Sequence, residues 1–181
     1  FYFGNPNLRP ERSRGWDVGV RQELDQGNFW VDVSYFRNDF TDLILFDLAT
    51  FTLQNIGRAR THGVEVAAMW QLSPSTAIDG NYTRLDSRDG ATGMPLVRRP
   101  RDQGSVGIAH SFWEGRGYVN LYGLIVGSRT DKRDGSVRLA PYTTVNLLTR
   151  YRWNDCWSGF VRLDNLFNEH YEEVTGYSSP G

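Results

Sequence analysis

The chain has 181 residues, 39% of them hydrophobic, 14% aromatic and 23% charged, with a net charge of -1. That length is ample for one domain, and a near-neutral balance gives no general attraction to nucleic acid. Unbroken apolar runs such as Leu43–Phe46 are far short of the about 20 residues that a spanning helix needs, and the lone Cys156 excludes an internal disulfide framework or a cysteine-built zinc site.

Helical periodicity is almost absent, and alternation of period two predicts eight strands, over 15–24, 29–38, 60–72, 76–86, 103–113, 117–128, 141–153 and 156–166. In the first, Trp16, Val18 and Val20 oppose Asp17, Arg21 and Glu23. In the second, Phe29, Val31, Val33 and Tyr35 oppose Asp32 and Ser34. The third sets Val64, Val66, Ala68 and Trp70 against Thr61 and Glu65. The fourth to sixth are weaker, and their facing is open to argument: Ile78 and Tyr82 sit with Gly80, and Tyr118, Asn120 and Tyr122 would turn inward. The seventh sets Val145, Leu147, Tyr151 and Trp153 against Thr144, Asn146, Arg150 and Arg152. The eighth sets Trp157, Val161 and Leu163 against Ser158, Arg162 and Asp164.

The predicted strands are long, where soluble strands average about 5 or 6 residues and tilted membrane strands need about 9 to 11. Their connections alternate. Tight turns fall at 25–28, 73–75, 114–116 and 154–155, and long polar loops at 39–59, 87–102, 129–140 and 167–181. Trp70, Trp113, Trp153 and Trp157 lie beside the short turns, as an interfacial girdle would. A water-soluble sheet with one solvated face explains the alternation alone. Length, loop asymmetry and girdle together predict an all-β, antiparallel transmembrane β-barrel meander.

Four segments carry a resemblance. They are Asn5-Pro6-Asn7-Leu8-Arg9-Pro10-Glu11-Arg12-Ser13, the stretch Tyr35 to Ile44, Asn55-Ile56-Gly57-Arg58-Ala59-Arg60-Thr61-His62-Gly63-Val64-Glu65, and Leu163-Asp164-Asn165-Leu166-Phe167-Asn168-Glu169-His170-Tyr171. In order and spacing they resemble motifs of the TonB-dependent outer-membrane receptors. Within that superfamily, Pro95 to Arg99, Gly127 to Lys132 and Tyr171 to Tyr177 are most similar to the vitamin B12 (cobalamin) receptor branch, though ferric-siderophore receptors share much of them. The resemblance implies a plug inside a barrel of about 22 strands. It implies that residues 1–181 are the C-terminal part of the barrel domain, about eight consecutive strands not closed on their own, with plug, early strands and last strand absent. With no starting Met, basic n-region or apolar h-region, Phe1 is not expected to be a natural start.

In that branch, Arg98 and Tyr177 match ligand-contacting positions at the outer mouth. A guanidinium can hydrogen-bond amide or phosphate oxygens, and a tyrosine offers a flat face with a hydroxyl. The alternatives are that Arg98, Arg99 and Arg101 make a solvated basic rim or pair with Asp102, and that Tyr177 serves ordinary loop packing. Asp134 departs from the branch, which often has an aromatic there. The inward charges Asp17, Arg21, Glu23, Glu65, Arg150, Arg152, Arg162 and Asp164 read as structural, through cross-strand ion pairs or plug contacts. Asp86, Asp89, Asp131 and Asp134 form no compact calcium pattern, and His62, His110 and His170 share no ligand spacing.

No catalytic motif is present, so no enzymatic activity and no cofactor are expected. The resemblance implies a bacterial outer-membrane receptor wall for active uptake of cobalamin or a ferric siderophore. Its partners would be that ligand, its own plug, the TonB complex and outer-membrane lipid. The alternative is a small, closed, eight-stranded barrel serving as a structural anchor.

Overall fold

The computed structural model describes residues 5–47, 51–132 and 134–179. In chain order the strands are β1 (Arg12–Leu24), β2 (Phe29–Asp47), β3 (Thr52–Ser73), β4 (Thr76–Asp89), β5 (Asp102–Phe112), β6 (Gly117–Val126), β7 (Arg129–Thr130), β8 (Arg138–Leu139), β9 (Tyr142–Arg152), β10 (Ser158–Leu163), β11 (Glu172–Val174) and β12 (Tyr177–Ser178). The eight long ones form one sheet in the order β1-β2-β3-β4-β5-β6-β9-β10, each antiparallel to the next. The first and last strands each have one neighbour, so the sheet is an open wall. This overturns the closed eight-stranded anchor, which needs β1 to pair with β10.

Register partners share a face. Val18, Tyr35, Val64 and Arg84 form one continuous row, and Val20, Val33, Val66 and Tyr82 the next. Following the pairs across the sheet puts Val145 and Val161 on that same face and Glu65 and Arg162 on the other. Tyr118, Asn120 and Tyr122 fall on the Glu65 face, which resolves the facing of the weak middle strands. Val18, Val20, Val106, Ile125 and Val161 are each more than half exposed, and no large side chain among the described residues is fully buried. A single layer of this kind has its apolar face covered by lipid rather than by a second layer.

The aromatic girdle at the short turns is a contact network. Trp113 meets the Tyr151 ring at 5.4 Å, and Tyr151 meets Trp153 at 5.4 Å. Trp153 lies over Gly159, where an added Cβ would come within 2.8 Å of its ring. An aromatic laid over a strand glycine restores apolar cover that the glycine lacks.

Three features differ from expectation. The connection 39–59 is mostly strand, because β2 runs to Asp47 and β3 starts at Thr52. A bulge causes this: Asp42 has φ 57° and the register shifts between Phe40 and Leu43, so the alternation changes phase and hides the extension. The tip at 48–50, and the last two positions of 167–181, lie outside the described residues. Second, the outward face turns charged toward the long loops. Arg14, Asp39, Arg60 and Arg88 are successive partners, and Asp39 accepts from Arg37 at 3.0 Å and Arg60 at 2.6 Å. Third, the inward ion pairs run along strands: Arg21–Glu23 at 3.1 Å and Arg162–Asp164 at 2.9 Å. Side chains two apart on one strand already share the face, so no neighbour is required.

Two sequence motifs prove to be local braces. The Asn55 side chain donates to the carbonyls of Arg9 (2.8 Å) and Asp42 (2.6 Å), and accepts from the Arg9 N–H at 2.7 Å. Glu11 accepts from the Ile44 N–H at 2.8 Å. The segment before β1 is thus bonded to both sides of the bulge. Asn165 accepts from the Glu169 N–H and donates to its carbonyl, both at 2.9 Å, which closes the turn after β10.

The facing predicts an asymmetry between adjacent residues. In the full-length protein folded into lipid, Val66→Arg should cost about 2 to 4 kcal/mol, the scale for a cation at the bilayer midplane. Glu65→Gln should stay within about 0.5 kcal/mol, as a substitution away from packed contacts does. Urea titrations of both variants in vesicles measure this, and equal costs would contradict the assigned faces.

Candidate functional site

Antiparallel order returns the chain at every short turn, so the connections after β2, β4 and β6 and the segment after β10 share one end. Arg98 and Tyr177 both lie there, opposite Trp153 and Trp157. Three segments converge at this end. The first is 90–101, which folds back along upper β4. The Asp89 N–H donates to the Met94 carbonyl (2.8 Å), the Leu96 N–H to Ser87 (3.0 Å) and the Leu85 N–H to Arg101 (2.7 Å). The second is the β7–β8 ribbon, and the third the β11–β12 hairpin, which turns at Gly176 with φ 84°.

Asp131 binds all three together. Its Oδ1 accepts from Arg98 Nε at 2.6 Å and its Oδ2 from the Thr175 N–H at 3.0 Å. The side chain is 6% exposed. The Arg98 N–H also donates to the Thr130 carbonyl at 2.7 Å. Arg98 has φ 58°, a region a long side chain seldom adopts, and its two contacts hold it there. The Thr175 hydroxyl, the Arg98 guanidinium and the Thr175 backbone N–H together hold the Asp131 carboxyl down to about 2.

A second tie lies beside the first. Arg129 Nη2 donates to the Glu172 carbonyl at 2.5 Å. Its guanidinium sits 5.2 Å from the centre of the Tyr142 ring, which stacks on Tyr171 at 3.9 Å. The Tyr177 side chain is on the hairpin so anchored and is 75% exposed.

Both sequence candidates therefore belong to one assembly: Arg98 through Asp131, Tyr177 through its hairpin. Arg98 pairs with Asp131 and not with Asp102, which accepts from the Tyr82 hydroxyl at 2.6 Å and lies 3.7 Å from Arg84. Asp134 accepts from the Ser136 N–H and hydroxyl, which close its own turn and hold its carboxyl below the usual range. Asp86 and Asp89 are occupied in the same way, by Arg88 and by the N–H groups of Ala91 and Thr92. Sequence reasoning placed Asp131 and Arg129 in the family-like run Gly127–Lys132, weighed Asp131 otherwise only as one acid among four, and gave Arg129 no role of its own. The run Ser128-Arg129-Thr130-Asp131, a charge on either side of a β-branched residue, was the available signal.

The arrangement presents one half-exposed guanidinium and one exposed phenol on a braced rim. It suits recognition of a large ligand with acceptor oxygens and a flat face.

The family model described as TonB dependent receptor-like, beta-barrel matches residues 1–166. The chain belongs to this family. It is a wall of a receptor barrel in the bacterial outer membrane. Similar solved structures include the ferric yersiniabactin uptake receptor FyuA from Yersinia pestis, with TM-score 0.75, 22% identity, and coverage of 91% of this chain and 26% of that one. The pyoverdine outer membrane receptor FpvA from Pseudomonas aeruginosa PAO1, bound to pyoverdine, gives 0.73 and 20%, over 96% of this chain and 28% of that one. The FrpB iron transporter from Neisseria meningitidis gives 0.74 and 16%, over 97% and 30%. At these identities the likeness establishes the fold, and the chain spans between about a quarter and a third of each matched structure.

The Asp131 tie carries a pH dependence. A depressed carboxyl pKa means that the folded receptor favours the carboxylate. The tie is at full strength above the unfolded value, about 3.9, and is lost as pH falls through about 2. Spin labels on 95–101 and 172–178 of the full-length receptor should report a single short distance at neutral pH that broadens only toward pH 2. Asp131→Asn should be broad throughout, and a narrow distribution in that variant would remove Asp131 as the tie.

Proposed function

We propose that residues 1–181 are the C-terminal part of the barrel domain of an active-uptake receptor, and that the outer rim they carry binds a ferric siderophore or cobalamin. The remaining wall, a last strand and a plug belong to the same protein, and TonB acting on that plug supplies the energy. The outer membrane holds neither ATP nor a strong gradient, so work has to be delivered from the inner membrane.

The observation that carries this reading is the convergence of three loop segments on Asp131, which holds Arg98 and the Tyr177 hairpin at one mouth. Loops of a passive wall have no need of such a brace. The open edges of β1 and β10 support a larger barrel, since unpaired strand groups are costly in hydrocarbon. An iron chelate is favoured over a corrinoid because similar structures include a ferric yersiniabactin uptake receptor and a pyoverdine receptor bound to pyoverdine. Cobalamin rests on the likeness of Pro95–Arg99 and Tyr171–Tyr177 alone.

In cells depending on the full-length receptor, uptake of a ferric siderophore should require TonB, and labelled cobalamin should compete weakly or not at all. Arg98→Ala removes charge-assisted hydrogen bonds worth about 1.5 to 3 kcal/mol each, roughly a tenfold or greater loss of affinity. Tyr177→Ala should cost a similar factor through lost ring contact. Heat-modifiable gel migration checks that both variants remain folded. Unchanged uptake of every siderophore and corrinoid tested in the double variant would make both residues bystanders.

A further inference from the structure

We propose that the arginine-lined cavity between upper β4, the 95–101 segment and β7 is a phosphate-binding site, distinct from the Arg98–Tyr177 rim. The cavity has a volume of about 230 Å3 and is lined by Arg88, Arg99, Arg101, Arg129 and Arg138, with Asp86 the one carboxylate. Asp86 is consumed by Arg88, which reaches it through Nε at 2.8 Å and Nη2 at 2.9 Å. Arg138 donates to the Ser128 hydroxyl at 2.8 Å. Arg99 and Arg101 form no ion pair among the described residues. The cavity is therefore rich in uncompensated positive charge.

Arg129 points to a ligand most directly. It is 5% exposed, and its Nη1 is buried without a hydrogen-bond partner among the described residues. A buried, charged donor left unpaired is among the costlier features a fold can carry. Its other nitrogen, Nη2, is already committed to the Glu172 carbonyl. An oxyanion in the cavity would take the free N–H groups and offset the charge of Arg99 and Arg101 at once.

Phosphate fits better than a carboxylate. Guanidinium groups approach from upper β4, from 99–101 and from the β7–β8 ribbon, so donors arrive from several directions. A tetrahedral oxyanion offers acceptors in all of them, whereas a planar carboxylate is met by a single fork. The phosphate has two possible sources. Asp86 and Arg88 occupy outward-facing positions of the charged collar beside the apolar belt, where lipid headgroups lie. The same cavity is at the outer mouth, where a soluble phosphate-bearing molecule arrives.

The test is calorimetric titration of the full-length receptor with inorganic phosphate, in detergent free of phosphorylated lipid. Saturable binding is expected, weakened about tenfold in Arg101→Gln and in Arg129→Gln, the loss of one charge-assisted contact. Because Arg129 is buried, Arg101→Gln carries the test if the other variant misfolds. No saturable binding, or equal affinity in wild type and Arg101→Gln, overturns the proposal. Repeating the titration in nanodiscs separates the sources. Phosphate binding blocked in nanodiscs of a phosphate monoester lipid but not in nanodiscs of a phosphate-free glycolipid assigns the site to lipid, and equal binding in the two assigns it to a soluble anion.

Discussion

Hydrocarbon offers no hydrogen-bond partner, so every backbone N–H and C=O in the membrane must be satisfied by the chain itself. Most of this structure follows from that requirement. Strands are long because they cross, and the meander is unbroken because each long strand after the first pairs with the long strand before it. The bulge at Asp42 falls toward the loop end of β2, where the Asn55 and Glu11 side chains serve the Asp42 carbonyl and the Ile44 N–H that the shifted ladder leaves open. The two unpaired edges are the places where the wall is incomplete.

The same requirement separates the two ends. At the short turns, the chain has only to reverse, and the aromatic network of Trp113, Tyr151 and Trp153 covers the boundary. At the other end the loops stand in water and need a different kind of order. They obtain it from buried charge: a carboxylate with two partners, and a guanidinium over stacked tyrosines. Buried charges of this sort are costly unless fully paired, and they tie specific segments together where apolar contact alone would permit many arrangements. Asp131 meets that condition. Arg129 meets it only in part, and that difference is what the proposed phosphate site rests on.

Recognition and structure are closely interwoven in Arg98. Its Nε belongs to the brace and its side chain is half exposed, so one residue both fixes the rim and leaves guanidinium surface open on it. Under the proposed function, ligand contact and loop order are coupled at Arg98, while Tyr177 offers exposed surface.

Period two and turn chemistry were enough to determine the eight long strands, their order, the facing of the first three and last two, and the end at which Arg98 and Tyr177 stand. Those properties depend on neighbours in sequence, and one strand's pattern constrains the next through the ladder. The four family-like segments were legible too, although Asn55 and Asn165 turn out to be braces of the backbone. Tertiary structure alone decided the rest. The phase change at Asp42 concealed the upper strands, because a bulge breaks the pattern that reveals them. The outward charged collar was masked by the apolar run below it on the same face. The site itself is built from contacts 33 and 44 residues apart in the chain, from Arg98 and Thr175 to Asp131. Loops have no periodicity to project such contacts, so only the folded chain could show which of four acidic loop residues holds the mouth together.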